Sequence, residues 1–330
     1  MGLAGRRRFL ARVGALFATA YAGQARPAAG TRRIGILHHG TRARSVAELA
    51  SLKEGLRELG FVEGRTLEIE YRFADYDYRL LDRMAEDLVQ AKVEVIYAPT
   101  LWSVYSAQAA TRTLPIIFSG INDPVPHKFV QSLSRPGGNI TGVSLASADL
   151  TAKRVELMRE LFPLAERFGV VYDEDSAKAC GVELKEIATA GKHLGIDLRR
   201  FPYADTKDLE GAFANAHKAK VTALLVPTTY EMRRFRTELG AGSASSRIPL
   251  IHSSAAEVVA GGLMSYGPPI DWASRRAGNY IGRILNGAKP SDLPVERPTT
   301  YELVVNLRTA RAMGIIVPQS ILVRADRVIE

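Results

Sequence analysis

The chain is predicted to be an α/β protein made of two successive parallel-sheet halves, and three observations lead there. Short apolar runs such as Ile34-Gly35-Ile36-Leu37 lack the alternation of a half-exposed strand, as strands buried on both faces do. Segments of helical period follow them at the spacing of strand-helix-strand units. After a break at Arg135-Pro136-Gly137-Gly138-Asn139 the alternation begins again. A chain of 330 residues, 46% of them hydrophobic, exceeds what one core usually holds, so two domains are expected.

In the first half, the strand at 34–37 is followed by a predicted helix over residues 45–59, stopped by Gly60 as a left-handed cap. A strand over 67–73, a helix over 78–91, a strand over 93–98, a helix over 103–111 and a strand over 114–118 complete it. Residues 140–144 read as a strand that makes the first crossing between halves. The second half runs helix 150–161, strand 167–172, helix 180–194, strand 197–201, helix 207–218 and strand 221–226. Asp208 and Glu210, in the first turn of the 207–218 helix, suit the positive end of its dipole. A helix near 230–239, a strand over 248–251, the segment 261–266 and a helix over 271–285, ended by Asn286-Gly287, follow. The proline-rich stretch 290–298 is extended and reads as a further crossing. It leads into 301–306, a strand by its β-branched and aromatic content.

Residues 1–25 combine a basic start, a modestly apolar run over 13–22, and small residues at Ala20-Tyr21-Ala22 or Gly23-Gln24-Ala25. That is the pattern of a signal peptide, too short in its apolar run to span a bilayer. Arg6-Arg7-Arg8-Phe9-Leu10 fits the twin-arginine pattern, with an ordinary secretory signal as the alternative. Either route implies a periplasmic protein, and no later stretch has the roughly 18 apolar residues of a membrane span.

The net charge of +9 includes Arg6, Arg7, Arg8 and Arg12, which leave with a signal peptide, so the mature globule is only mildly basic. Its later lysines and arginines are interleaved with acids rather than gathered in a stripe, which argues against a nucleic-acid partner. Cys180 is the only cysteine, which excludes an internal disulfide and a CxxC motif. Its setting, Lys178-Ala179-Cys180-Gly181, reads as a small packed residue at the start of a helix.

Ligands of open parallel sheets sit outside the carboxyl ends of the strands, so the residues after each strand are the candidates. In the first half these are His38, His39 and Thr41; Thr100, Trp102 and Ser103; and Ser119, Asn122 and Asp123. In the second they are Tyr172 and Asp173, Thr229 and Tyr230, Ser253 and Ser254, and Tyr266. Hydroxyls, amides and aromatics of this kind suit reversible binding of a small polar or amphipathic molecule. His38 and His39 would point opposite ways on an extended segment, and no further ligand cluster completes a metal site. Neither GxSxG, GxGxxG nor GxxxxGK[ST] is present, so no catalytic residue, cofactor or metal is assigned. Trp102 is either core packing or a stacking surface in a cleft. Asp123 is either a cap before Pro124 or a partner for an ammonium group.

Four longer motifs carry a family resemblance: Gly60-Phe61-Val62-Glu63-Gly64-Arg65; Ser134 through Gly142; Gly261-Gly262-Leu263-Met264-Ser265-Tyr266-Gly267; and Gly287-Ala288-Lys289-Pro290 with Leu293-Pro294-Val295-Glu296. With the tail Asn306-Leu307-Arg308-Thr309-Ala310, they resemble ABC-transporter substrate-binding proteins of the tryptophan- and tyrosine-type group. The resemblance implies a type I periplasmic-binding-protein fold, two Rossmann-like lobes with parallel sheets joined by three crossover segments. It places residues 31–141 and about 268–294 in the N-lobe, and 142–267 and about 295–330 in the C-lobe. It implies a monomer that holds a small molecule, such as an amino acid or an aromatic carboxylate, and presents it to an ABC permease in the inner membrane. Pro99-Thr100-Leu101-Trp102 and Tyr172-Asp173 depart from the family's usual Gly-Thr-Pro and Trp-Asn, which puts the ligand in question. Two other readings share parts of this pattern: a secreted two-domain transferase or hydrolase, and a sensory binding protein that feeds a receptor.

Overall fold

The structure, a computed structural model, describes residues 30–145, 148–174, 177–228 and 231–330. The signal-peptide residues 1–25, and Thr229 and Tyr230 among the site candidates, lie outside the described residues.

The first lobe is built on β1 (Arg32–His38), β2 (Leu67–Phe73), β3 (Val95–Tyr97), β4 (Ile116–Ile121) and β5 (Ile140–Ser144). They lie in the spatial order β2-β1-β3-β4-β5, every pair parallel. Helices α1 (Val46–Arg57), α2 (Leu81–Gln90) and α3 (Leu101–Ala110) make the crossovers. The sheet is covered on both faces, which is why β1 reads as a continuous apolar run. Ile34 and Ile36 enter a core with Leu49 and Leu52 of α1, while Leu37 enters another with Leu81, Leu88 and Val104. Gly60 has φ +88° and ends the turn after α1, as the sequence predicts.

The second lobe holds β6 (Arg167–Asp173), β7 (Asp197–Tyr203), β8 (Leu224–Leu225), β9 (Leu250–His252), β10 (Met264–Gly267), β11 (Glu302–Asn306) and β12 (Arg327–Ile329). Their spatial order is β12-β11-β10-β9-β8-β6-β7. Helices α4 (Ala148–Leu161), α5 (Ala177–His193), α6 (Thr206–Lys218), α7 (Arg236–Ser246) and α8 (Ala255–Val259) alternate with the first five of these strands. Asp205 caps α6, its carboxylate accepting from the N–H of Lys207 at 2.8 Å and of Asp208 at 2.9 Å. Those two backbone donors hold its carboxyl below the ordinary range.

Two local readings change, and the tail adds elements beyond them. Residues 140–144 pair with β4 from Ile116↔Ile140 to Ile121↔Ser144, so this strand completes the first sheet and the chain leaves it after Leu145. Burial of Ile140 and Val143 in first-lobe clusters holds it there. β11 runs antiparallel to β10, whereas the other pairs of the second sheet are parallel. It is entered from the first lobe without the crossover helix a parallel neighbour needs. The tail beyond residue 306 forms α10 (Leu307–Met313) and α11 (Gln319–Arg324) after α9 (Ile270–Leu285), and ends in the edge strand β12.

Helix α9 returns to the first lobe and lies directly on α1. Gly55 and Gly278 make that contact possible: a Cβ on Gly55 would fall 1.9 Å from the Arg275 carbonyl oxygen, and one on Gly278 2.1 Å from that of Leu52. Asn279 Nδ2 donates to Gly55 O and to Glu58 Oε2, each at 2.8 Å. Replacing Gly278 with Ala forces the two backbones apart, and overpacking of this kind costs about 1–3 kcal/mol. Thermal denaturation of Gly278→Ala is expected to show a lowered melting temperature; an unchanged one contradicts the backbone contact.

Candidate functional site

The carboxyl ends of both sheets meet at one gap. Arg44, which precedes α1, donates from Nη1 to the carbonyl of Arg234 at 2.7 Å. The Arg234 guanidinium lies 5.7 Å from the ring centroid of Tyr76, which follows β2. Asn122, beyond the end of β4, donates from Nδ2 to the carbonyl of Thr228 at 3.0 Å and to Glu183 Oε2 at 3.3 Å.

The first-lobe side of the gap carries a row of rings. His39 stacks on Tyr78 (centroids 6.2 Å, planes 11° apart), Tyr78 meets Trp102 at 6.0 Å, and Trp102 meets Tyr105 at 6.2 Å. The segments after β1 and β2 supply His39 and Tyr78, and the start of α3 supplies Trp102 and Tyr105, because the strands are parallel and end on the same edge. His38 and His39 do not point apart: their rings stack at 5.0 Å, planes 21° apart, because the chain turns as β1 ends. The Gly40 N–H donates to His38 Nδ1 at 2.9 Å, so Nδ1 is an acceptor and the ring proton sits on Nε2. Nε2 lies 3.2 Å from Ser45 Oγ and 3.4 Å from Glu48 Oε2.

Other candidates are occupied within their own lobe. Thr100 and Ser103 cap α3 reciprocally, with their hydroxyls 2.8 Å apart and the Thr100 N–H donating to Ser103 Oγ at 3.0 Å. Both are buried, as is Ser119, whose hydroxyl is 2.6 Å from that of Tyr97. The Tyr97 hydroxyl also donates to Glu48 Oε1 at 3.0 Å. Thr41 Oγ1 accepts from the Arg44 N–H at 3.3 Å. Asp123 accepts from the Val125 N–H at 3.1 Å in a turn, and Ser254 caps α8 through the Ala256 N–H at 3.4 Å. Tyr172 and Tyr266 are half-buried and pack on the second-lobe core, Tyr266 with Tyr301 at 6.0 Å. Ser253 is half-buried after β9, while Asp173 is fully buried at the end of β6. Cys180 is packed in the same core.

Arg154 and Glu183 carry the most consequential charges at the gap, and neither is a strand-end residue. Arg154 Nη2 donates to Glu183 Oε1 at 2.7 Å, both side chains being 1% exposed. Glu183 also accepts from the Thr228 N–H at 2.8 Å and the Thr228 hydroxyl at 3.2 Å. A helical count would have found them. Arg154 lies between Leu150 and Met158 on the buried stripe of α4, and Glu183 between Cys180 and Ile187 on that of α5. Opposite charges on two successive apolar stripes are the signal. Glu186, three positions beyond Glu183 on α5, has its carboxyl pushed up by burial first and by the charge of Glu183 second, with Asp123 adding to it from the first lobe. The Asn122 oxygen Oδ1 and the Arg154 nitrogen Nη1 are buried without a hydrogen-bond partner among the described residues.

His252, at the end of β9, is held at about 4 against an ordinary 6.5, chiefly because burial penalises its charged form. The unfolded chain therefore takes up a proton on this ring near pH 6.5 and the folded one does not, so stability present above pH 6.5 declines as pH falls toward about 4. Melting temperatures measured from pH 7 to 5 are expected to fall, and the slope to be shallower in His252→Gln; equal slopes contradict this assignment.

Among the described residues no helix is long and apolar enough to cross a membrane, and no group of three or more His, Cys, Asp or Glu is placed to hold a metal ion.

Two α/β lobes with their sheet edges facing one gap define a type I periplasmic-binding-protein fold. Residues 35–329 match the family described as ABC transporter substrate binding protein, and the chain belongs to that family. It is 26% identical over 261 residues to a tyrosine-binding protein of Clostridioides difficile (strain R20291), covering 79% of this chain and 74% of that protein. A structure described as an ABC domain in complex with L-Trp, from Streptococcus pneumoniae, superposes with a TM-score of 0.84 at 26% identity, covering 91% of this chain and all of that one. A conserved domain protein of Vibrio cholerae gives the same TM-score at 24% identity, covering 90% of this chain and 99% of that one, which speaks for the fold.

Proposed function

We propose that this chain is the exported, periplasmic receptor of an ABC importer, a monomer that captures an aromatic amino acid or a related aromatic carboxylate between its lobes. It hands the ligand, unchanged, to a permease in the inner membrane. The row His39, Tyr78, Trp102 and Tyr105 carries this reading: it runs from the ends of β1 and β2 onto the start of α3, with His39 buried and the partly exposed faces of the other three offered beside the gap. Offset or edge-on packing of a ligand ring against such a surface contributes about 0.5–1.5 kcal/mol beyond the area it buries. The buried oxygen of Asn122 is the acceptor we assign to the ligand's amino group. The twin-arginine pattern at Arg6-Arg7 supports export, and the names of the tyrosine- and tryptophan-bound relatives support the ligand class.

Isothermal titration with L-tryptophan, L-tyrosine and their deaminated counterparts tests the reading. At least one of the two amino acids is expected to bind and to be recovered intact by mass spectrometry, and Trp102→Ala to weaken it about tenfold, the loss of roughly 1.4 kcal/mol. Failure of all four compounds to bind, or recovery of an altered compound, overturns it.

A further inference from the structure

The bridge between the lobes at Asn122 is made by protein atoms alone. Its two acceptors, the Thr228 carbonyl and the Glu183 carboxylate, cannot donate. The amide must therefore turn its nitrogen toward them, and the assignment of Nδ2 follows from the partners. The residue is also held from behind. Its own carbonyl accepts from the Ser144 hydroxyl, and the neighbouring Leu145 N–H donates to Ile121 O at 3.2 Å. These bonds tie the end of β4 to the end of β5 within the first lobe.

On the other side, the acceptors are fixed independently of Asn122. Glu183 is neutralised by Arg154 at 2.7 Å and held by the N–H and hydroxyl of Thr228. That network lies wholly within the second lobe, linking α4, α5 and the loop after β8. Parting the lobes breaks the two Asn122 bonds and, elsewhere along the gap, the Arg44 bond to the Arg234 carbonyl, but leaves this network intact. Two finished half-sites thus face each other, with one neutral donor between them. A hydrogen bond to a charged group is strong enough to shift a two-state equilibrium by more than tenfold.

We propose that the amide nitrogen of Asn122 is a closure latch, which sustains a closed population of the protein with no ligand bound. Asn122 is in this respect a positioning residue, acting on the gap through the separation of the lobes. The purpose of the latch rests on the substrate-binding reading above, whereas its operation does not.

The position demands a donor, and aspartate is the same shape without one. In Asn122→Asp a carboxylate replaces the nitrogen that now lies 3.3 Å from Glu183 Oε2 and 3.0 Å from the Thr228 carbonyl. The charged groups around it are Glu183 and Glu186 on α5, Asp123 beside it, and Arg154 on α4, already paired with Glu183. Among the described residues acids outnumber the single cation, so the new carboxylate repels the second lobe until it is protonated, when its O–H restores a donor.

Small-angle scattering of the ligand-free mature protein tests this, with circular dichroism to confirm the fold of each variant. Asn122→Asp is expected to have a larger radius of gyration than wild type at pH 8 and to return to the wild-type value by pH 5. Asn122→Ala, which removes the donor without adding charge, is expected to be expanded at both pH values. Wild-type dimensions in both variants at pH 8, or expansion of Asn122→Asp that persists at pH 5, overturns the latch. Repeating the scattering with L-tryptophan separates the two ideas. Opening of the variants together with no binding by wild type sinks the aromatic ligand and keeps the latch. Binding by wild type with no opening of the variants does the reverse.

Discussion

A single buried carboxylate governs how the two lobes meet. Glu183 sits on the apolar stripe of α5 at 1% exposure, where an unpaired charge is not tolerated. Arg154 compensates it from the preceding helix, and the carboxylate also accepts from the backbone and hydroxyl of Thr228. A buried ion pair of this kind adds little net stability, but removing one member costs about 3–5 kcal/mol. Its consequence is geometric: α4, α5 and the loop after β8 are locked together, and the surface they offer to Asn122 is rigid.

The first lobe reaches that surface with equal rigidity for a different reason. Its sheet is covered by α1 and α9, which touch at Gly55 and Gly278 without intervening side chains. Because α9 comes from the far end of the second lobe's run of strands, this contact fastens a distant part of the chain to the first lobe. The return path is fixed as well, since the Glu296 N–H donates to Gly142 O and the Ser144 N–H to Glu296 O, beside β5. Two stiff bodies joined by narrow passages are what a closing cleft requires. Parallel strand direction then places the loops that follow the parallel strands of each body on the facing edge.

Much of this was legible in the sequence. Apolar runs and helical periods located both sheets, and Gly60 marked its turn, because those signals are local. The reversal of β11 was not legible, since strand direction depends on where the chain comes from. Among the candidate residues, Trp102 and Asn122 are identifiable from their place after β3 and β4. Thr100 and Ser103 looked alike in the sequence, and only the structure shows their hydroxyls engaged in the cap of α3. Arg154 and Glu183 sit on helices rather than at strand ends, and their signal in the sequence is a charge on each of two apolar helix stripes. The stacking of His38 on His39 depended on a turn that no residue type announces.

The central claim is that the lobes close on a small aromatic solute, and a distance measured between them addresses it most directly. Spin labels at Glu86 on α2 and Glu210 on α6, both exposed, report on the two lobes, and the buried Cys180 does not compete for the label. With saturating L-tryptophan or L-tyrosine, pulsed dipolar spectroscopy is expected to show the broad ligand-free distribution collapse to one shorter distance. A distribution unchanged by either amino acid contradicts the account.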